Sequence, residues 1–383
     1  MATQEREITE PVDLCLPDGR LNPWARGWSR QPLHRANLRG WGRTKRWEYW
    51  CVTTPAHLVA LTVSDLDFLA LNTVYVLEYG PGGLEFETTE IIPGGRGVRL
   101  PETIAGTPGS PAVTVGPRHP TGGRVRIEIA EEEGGTRLRA RCLAPASSKP
   151  SSTPMTPSSP RIPSTPRSAS TRRQIVKQAA KQTVEIDLFA ALPTGHETLS
   201  VVVPWDERRF QYTSKHTARP ASGTVRVGDR VLEFGEDAWA VLDHGRGRWP
   251  RSVDWNWGAA SGRTDGHTVG LQFGGRWTRG TGATENALCV DGRLSKIGEE
   301  LEWHWSHDDF LAPWTITSPG ERPAVDLTFV PFHNRSTRTD AVLIANRTDQ
   351  CFGHYSGRVH DDEGREIVVD RLLGWAEDVH MRW

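Results

Sequence analysis

The chain of 383 residues has only three methionines and no long apolar run. Its most apolar window, residues 57–77, carries Asp65 and Asp67 at the centre, so it reads as two strands rather than a spanning helix. Residues 1–13 lack a basic start followed by an apolar stretch, so no signal peptide is expected. The five cysteines are odd in number, scattered and free of any C-x-x-C. That excludes a zinc knuckle and a thioredoxin-type site, and implies reduced thiols in a cytoplasmic protein. Charge of either sign is not in excess. A net charge of −1 excludes a globally basic nucleic-acid binder and an acidic disordered chain.

What is abundant is tryptophan, with 16 copies, beside 38 glycines and 27 prolines. Many turns and many stiff aromatics indicate an all-β protein. Segments 46–54, 57–65, 69–79 and 84–92 are rich in β-branched and aromatic residues and are bounded by Pro, Asp or Gly. In 124–132, Val125, Ile127 and Ile129 alternate with Arg126, Glu128 and Ala130. Further strands are expected over 198–205, 224–234, 237–243, 267–275, 285–297, 301–306, 324–332 and 366–370. Asp291-Gly292 marks a hairpin. Only 172–182 has a helical pattern, and a weak one.

Residues 144–173 interrupt this order. Seven Pro, nine Ser and four Thr fall there with five basic residues and no acid. Such a segment cannot bury enough apolar surface to offset its ordering entropy, so a disordered insertion within a hairpin is expected. A second Gly/Pro-rich loop covers 93–123. With so many strands available, two β domains are expected, 1–203 and 204–383, divided near the turn at 204–209.

Several chemistries fail on spacing. Residues 258–262, Gly-Ala-Ala-Ser-Gly, miss the G-x-S-x-G elbow, and no phosphate-binding G-x-x-x-x-G-K-[ST] is present. His304 and His307, three apart on a strand, would face opposite ways, which argues against a metal pair. No metal and no cofactor are expected.

Two features remain. Residues 20–46 hold eight basic residues, no acid, and Trp24, Trp28 and Trp41. They form either a stacking and phosphate-binding surface or a wrapping segment with indoles inward and arginines paired. The second feature, 252–286, begins Asp254-Trp255-Asn256-Trp257-Gly258. On a strand, Trp255 and Trp257 share one face and Asp254 and Asn256 the other. A carboxylic acid buried against indole has its pKa raised and can donate a proton. The competing reading is structural, with Trp filling a core and Gly at bulges.

The same residues carry a resemblance. Residues 21–30, 37–40 and 45–50 resemble the start of the DUF2804 family; 254–258, 270–286 and 374–377 resemble the rest. The family connects its two strands more directly where this chain has the Pro/Ser insertion. The resemblance implies two lipocalin-like antiparallel barrel or sandwich domains. It extends more distantly to carotenoid 1,2-hydratases, tocopherol-cyclase-like proteins and fungal pericyclase-type cyclases, which hold long apolar ligands.

The expected partner is thus a hydrophobic small molecule such as a lipid or isoprenoid, with no nucleic acid and no transmembrane segment. Its expected walls are Trp255, Asn256, Trp257, Gln272, Trp277, Asn286 and Trp50. If the protein is an enzyme of hydration, isomerisation or cyclisation, Asp254 or Glu285 would give the proton and His267 would relay it. A binder or carrier of such a molecule is the first expectation, with the enzyme and a purely structural or interaction protein as the alternatives. The tryptophans, absent from 51–204, are expected to meet in space and brace one pocket.

Overall fold

A computed structural model describes residues 5–104, 113–115, 124–144, 182–321, 323–340 and 345–382. The insertion at 144–173 and the short helix at 172–182 lie outside these residues, apart from Ala144 and Gln182. Among the described residues the only helix is the 3-10 turn Pro23–Ala25, capped by the Asn22 side chain, which accepts from Trp24 N–H at 3.1 Å. All other regular structure is strand, as expected for an all-β chain.

Two large sheets organise the molecule, one of 13 strands and one of nine. The first runs from Glu85–Pro93 through Leu69–Glu78, His57–Asp65 and Thr44–Thr53 to Trp239–Arg248 and Phe210–Val227. It continues through Gln182–Ala191, Gly135–Ala144 and Val125–Glu132. The second is centred on Glu366–Arg382. Ser252–Thr264 and His267–Gly275 lie on one side of it, Ala345–His360 and Val325–Asp340 on the other. Pairing within both sheets is antiparallel, so each strand alternates between two faces.

Each sheet curls. Val76 and Phe86, from one end of the first path, share a core with Ile127 and Leu138 from the other. In the second sheet, Leu288 and Ile297 share a core with Ile316 and Leu327 in the same way. Closing the sheet this way buries the inner face of each without a helix to cover it. The expected alternation is present: Val125, Ile127 and Ile129 point inward and Arg126 outward. The Asp291-Gly292 turn is also present, with φ of 50° and 83° at its two residues, joining Val290 to Arg293.

The chain passes from the first sheet to the second between Arg248 and Ser252. Residues 203 and 204 lie in a strand of the first sheet, Leu199–Pro204, which forms a hairpin with Phe210–Val227. The Pro and Asp there close a tight turn, with Trp205 and Asp206 N–H both donating to the Arg209 carbonyl.

The two sheets lock together at a bulge. The long strand Phe210–Val227 shifts register between His216 and Arg219, and Ala218 adopts a φ of 55°. Its N–H then donates to Ser261 Oγ of the second sheet at 2.8 Å.

Candidate functional site

Outer faces of the two curled sheets meet in a seam. Alternation along Thr44–Thr53 sends Trp47, Tyr49 and Cys51 to the seam and Trp50 and Val52 to the inside of the first sheet. Along Ser252–Thr264 it sends Trp255, Trp257 and Ala259 to the seam. Along Glu366–Arg382 it sends Trp375 and Glu377 there.

Trp249, in the connection between the sheets, is the hub of the indoles. It stacks on Trp277 with centroids 5.5 Å apart and planes 8° apart. It meets Trp47, Trp205 and Trp255 edge to face at 5.3–5.7 Å. Deeper, Trp257 meets Tyr49 and Trp375 edge to face. Trp47, Trp205, Trp249 and Trp255 are half-buried and form a rim; Trp257, Trp277 and Trp375 are buried.

Behind the rim lies a buried charge cluster. Lys215 and Asp243 are a direct cross-strand pair in the first sheet, with Nζ 2.9 Å from Oδ1. Lys215 also reaches Glu285 of the second sheet at 3.3 Å and lies 4.4 Å from the Trp257 ring centroid. Indole N–H groups serve the carboxylates. Trp47 donates to Asp243 at 3.0 Å, Trp277 to Glu285, and Trp255 to Glu377 at 2.8 Å. Gln350 donates to the other Glu377 oxygen at 3.2 Å.

Electrostatics follow from this packing. Burial alone would drive Lys215 toward neutrality, but the Asp243 and Glu285 carboxylates outweigh it and hold its pKa above the ordinary lysine value. Burial raises Glu285. Burial also pushes Glu377 up to about 7, against the stabilising Trp255 hydrogen bond. The seam therefore holds a carboxyl group poised to exchange a proton near neutrality, which is what a general acid requires.

Glycines make the room. A Cβ on Gly274 would lie 2.1 Å from Glu285 Cγ, and one on Gly245 would lie 2.2 Å from the Trp47 ring. These positions are glycine because a carboxylate and an indole lie directly on the backbone.

The sequence-derived residues separate into groups. Trp255, Trp257, Gln272, Trp277 and Glu285 come together at the seam; Trp257 Nε1 donates to Gln272 at 3.0 Å. Asn256 faces the other way and donates to the Glu377 carbonyl at 3.2 Å. Asn286 braces a turn, accepting from Gly274 N–H and donating to the Glu299 carbonyl. Trp50 packs inside the first sheet, under Arg219. Asp254 is half-exposed and paired with Arg276 at 3.0 Å and His380 at 2.8 Å, away from the indoles. His267 sits at the far end of its strand, bound to Asp291 at 2.6 Å.

Lys215, Asp243, Trp249 and Glu377 were not among the expected site residues. Glu377 carried a signal, since it lies in the 374–377 stretch that bears the resemblance.

A groove of about 490 Å³ lies elsewhere, lined by Arg126, Glu128, Arg139, Arg141, Glu185 and Asp187. It is charged, not aromatic. At the seam the indoles pack on one another. Among the described residues no helix is long and apolar enough to cross a membrane, and all five cysteines are free and buried.

Fold and site together define an all-β protein of two curled sheets, with a Trp-lined polar centre between them. The chain belongs to the DUF2804 family, a domain of unknown function, whose model matches residues 5–383. Comparison with curated proteins found no match. Similar solved structures include kievitone hydratase from Nectria haematococca, 8% identical over 89% of each chain, with a TM-score of 0.40. A putative AttH from Nitrosomonas europaea is 13% identical over 88% of this chain and 92% of that one, with a TM-score of 0.41. CghA with Sch210972 is 8% identical over 100% and 97%, with a TM-score of 0.40.

Proposed function

We propose that the protein takes a hydrophobic small molecule at the rim of the seam and transfers a proton to it from Glu377. The observation that carries this reading is Glu377 itself. It is a buried carboxyl with a pKa near 7, and Trp255, which it binds, is one of the half-buried rim indoles. A ligand that displaces Trp255 meets that carboxyl.

The chemistry is acid–base. The Glu377 O–H bond breaks and a C–H bond forms at one carbon of a double bond. The electron-poor carbon left behind faces the Trp255 and Trp257 rings, which favour positive charge. Water addition followed by loss of its proton to Glu377 completes a hydration. Loss of a neighbouring C–H proton to Glu377 completes an isomerisation. Lys215 pairs with Asp243 and Glu285, whereas Glu377 is held by the Trp255 and Gln350 N–H groups and carries the mobile proton.

Native mass spectrometry of the protein from its own host, exchanged into heavy water, tests both parts. An apolar molecule should co-purify and gain deuterium in the wild type, and Glu377→Gln should bind it without the gain. Equal deuterium uptake in both forms defeats the catalytic role. Uptake in neither, with the molecule still bound, leaves a carrier. Absence of any bound apolar molecule overturns the reading altogether.

A further inference from the structure

Three turns meet at one end of the first sheet. Gly42 N–H donates to Asp67 Oδ2 at 2.6 Å, which ties the turn at 40–43 to the turn at 65–68. Gly94 N–H donates to the Phe68 carbonyl at 2.8 Å, which ties the turn at 93–98 to the same place. On this end Trp41 is 77% exposed and Phe68 37% exposed. Arg43 in the first of these turns, Arg96 in the third and Arg99 just after it are exposed and make no ion pair among the described residues. Lys45 Nζ lies 5.2 Å from the Phe68 ring centroid.

The acids at this end are turned inward. Asp67 accepts from Thr44 N–H and the Thr44 hydroxyl and pairs with Arg46 at 2.9 Å. Asp65 accepts from Asp67 N–H and lies 3.6 Å from Arg46. The outward surface is therefore aromatic and positive on a chain whose net charge is −1. Elsewhere in the basic segment 20–46 three arginines are held by carboxylates. Arg20 pairs with Asp18 and Glu207, Arg30 with Glu7 and Glu197, and Arg35 with Asp13. Trp28 is buried.

We propose that these three turns dock the protein on an anionic lipid bilayer. Trp41 and Phe68 enter the headgroup region, where amphipathic rings are stable, and Arg43, Arg96 and Arg99 face lipid phosphates. Single-stranded nucleic acid fits less well, because it needs successive stacking platforms along a groove, whereas this surface presents two rings on turn tips.

Co-sedimentation of the full chain with phosphatidylcholine vesicles, with and without phosphatidylserine, tests it. The wild type should pellet only with the serine lipid and be released by high salt. Arg43→Glu and Arg96→Glu should each weaken binding by roughly fivefold or more, from the usual contribution of one basic residue near such a surface. Trp41→Ala should weaken it too, at unchanged thermal midpoint. Should one variant lose its midpoint, Arg99→Ser serves in its place. A wild type that stays in solution with the anionic vesicles overturns the proposal. So do variants that bind like the wild type, or preference for a single-stranded oligonucleotide over vesicles at equal salt.

Discussion

Glu377 and Glu285 are both buried at the seam; Glu285 was an expected proton donor, whereas Glu377 was marked only by lying in the 374–377 stretch that carries the resemblance. Glu285 was named as an acid that indole would bury, and Trp277 does donate to it. Lys215 and Asp243 carried no local signal; they meet because strands far apart in sequence pair in that register. The Glu377 pKa has a measurable consequence. Raised to about 7 by burial, the folded chain keeps a proton that the unfolded chain releases above the ordinary glutamate value of about 4.5. This group's stabilisation is therefore lost as pH rises from about 4.5 to about 7. His34 and His244 act in the opposite sense. Burial lowers both to about 4, so their effect is lost as pH falls below about 6.5. Urea unfolding of Glu377→Gln against wild type isolates the first contribution. The variant should gain on the wild type between pH 5 and pH 7.5, by up to about 3 kcal/mol. A difference that does not change with pH would mean the carboxyl is ionised throughout.

At the scale of elements, glycine spacing matters through contact more than through turns. Gly270 lies in the middle of His267–Gly275, and a Cβ there would sit 2.3 Å from Thr217 Oγ1 and 3.1 Å from Ala218 Cβ. Thr217 and Ala218 belong to the bulge that locks the sheets. Gly270→Ala should therefore push the sheets apart and destabilise the fold by roughly 1–3 kcal/mol, the usual range for overpacking. Gly235→Ala is the control, since nothing lies within 4 Å of its Cβ position. Equal thermal midpoints for the two variants would refute the bulge as a close contact. Strand positions were largely legible because alternation and turn residues are local signals. The turn at 204–209 closes a hairpin of the first sheet, and such a Pro/Asp turn has the same composition as a linker between domains.

The whole molecule is held by a seam that neither sheet completes alone. Tyr49, Tyr75 and Val241 of the first sheet are covered by Trp257, Phe352 and Trp375 of the second. Lys215 and Asp243 would lose Glu285, leaving a charge cluster with one member missing. Unfolding of the full chain should then follow a single transition. A fragment ending at residue 250 should expose the apolar seam and be insoluble, or bind a hydrophobic dye strongly when refolded. A soluble fragment with sharp near-ultraviolet signals would show that the first sheet folds independently of its partner.

The division between sequence and tertiary structure runs along the range of the signal. Alternation, Asp-Gly turns and the density of Trp, Gly and Pro were enough for an all-β chain and for most of its strands, and they singled out 252–286. They also placed Trp255 and Trp257 on one face. Tertiary structure decided which surface that face meets: the outer face of a second sheet rather than the inside of a barrel. Period-two alternation names two faces but not which one turns inward when a sheet curls. It also decided that Glu377 is buried at the seam beside Glu285, while Asp254 is not. Glu377 and Asp254 lie near one another on paired strands but on opposite faces. One is closed in by indoles and the other is held in the open by Arg276 and His380.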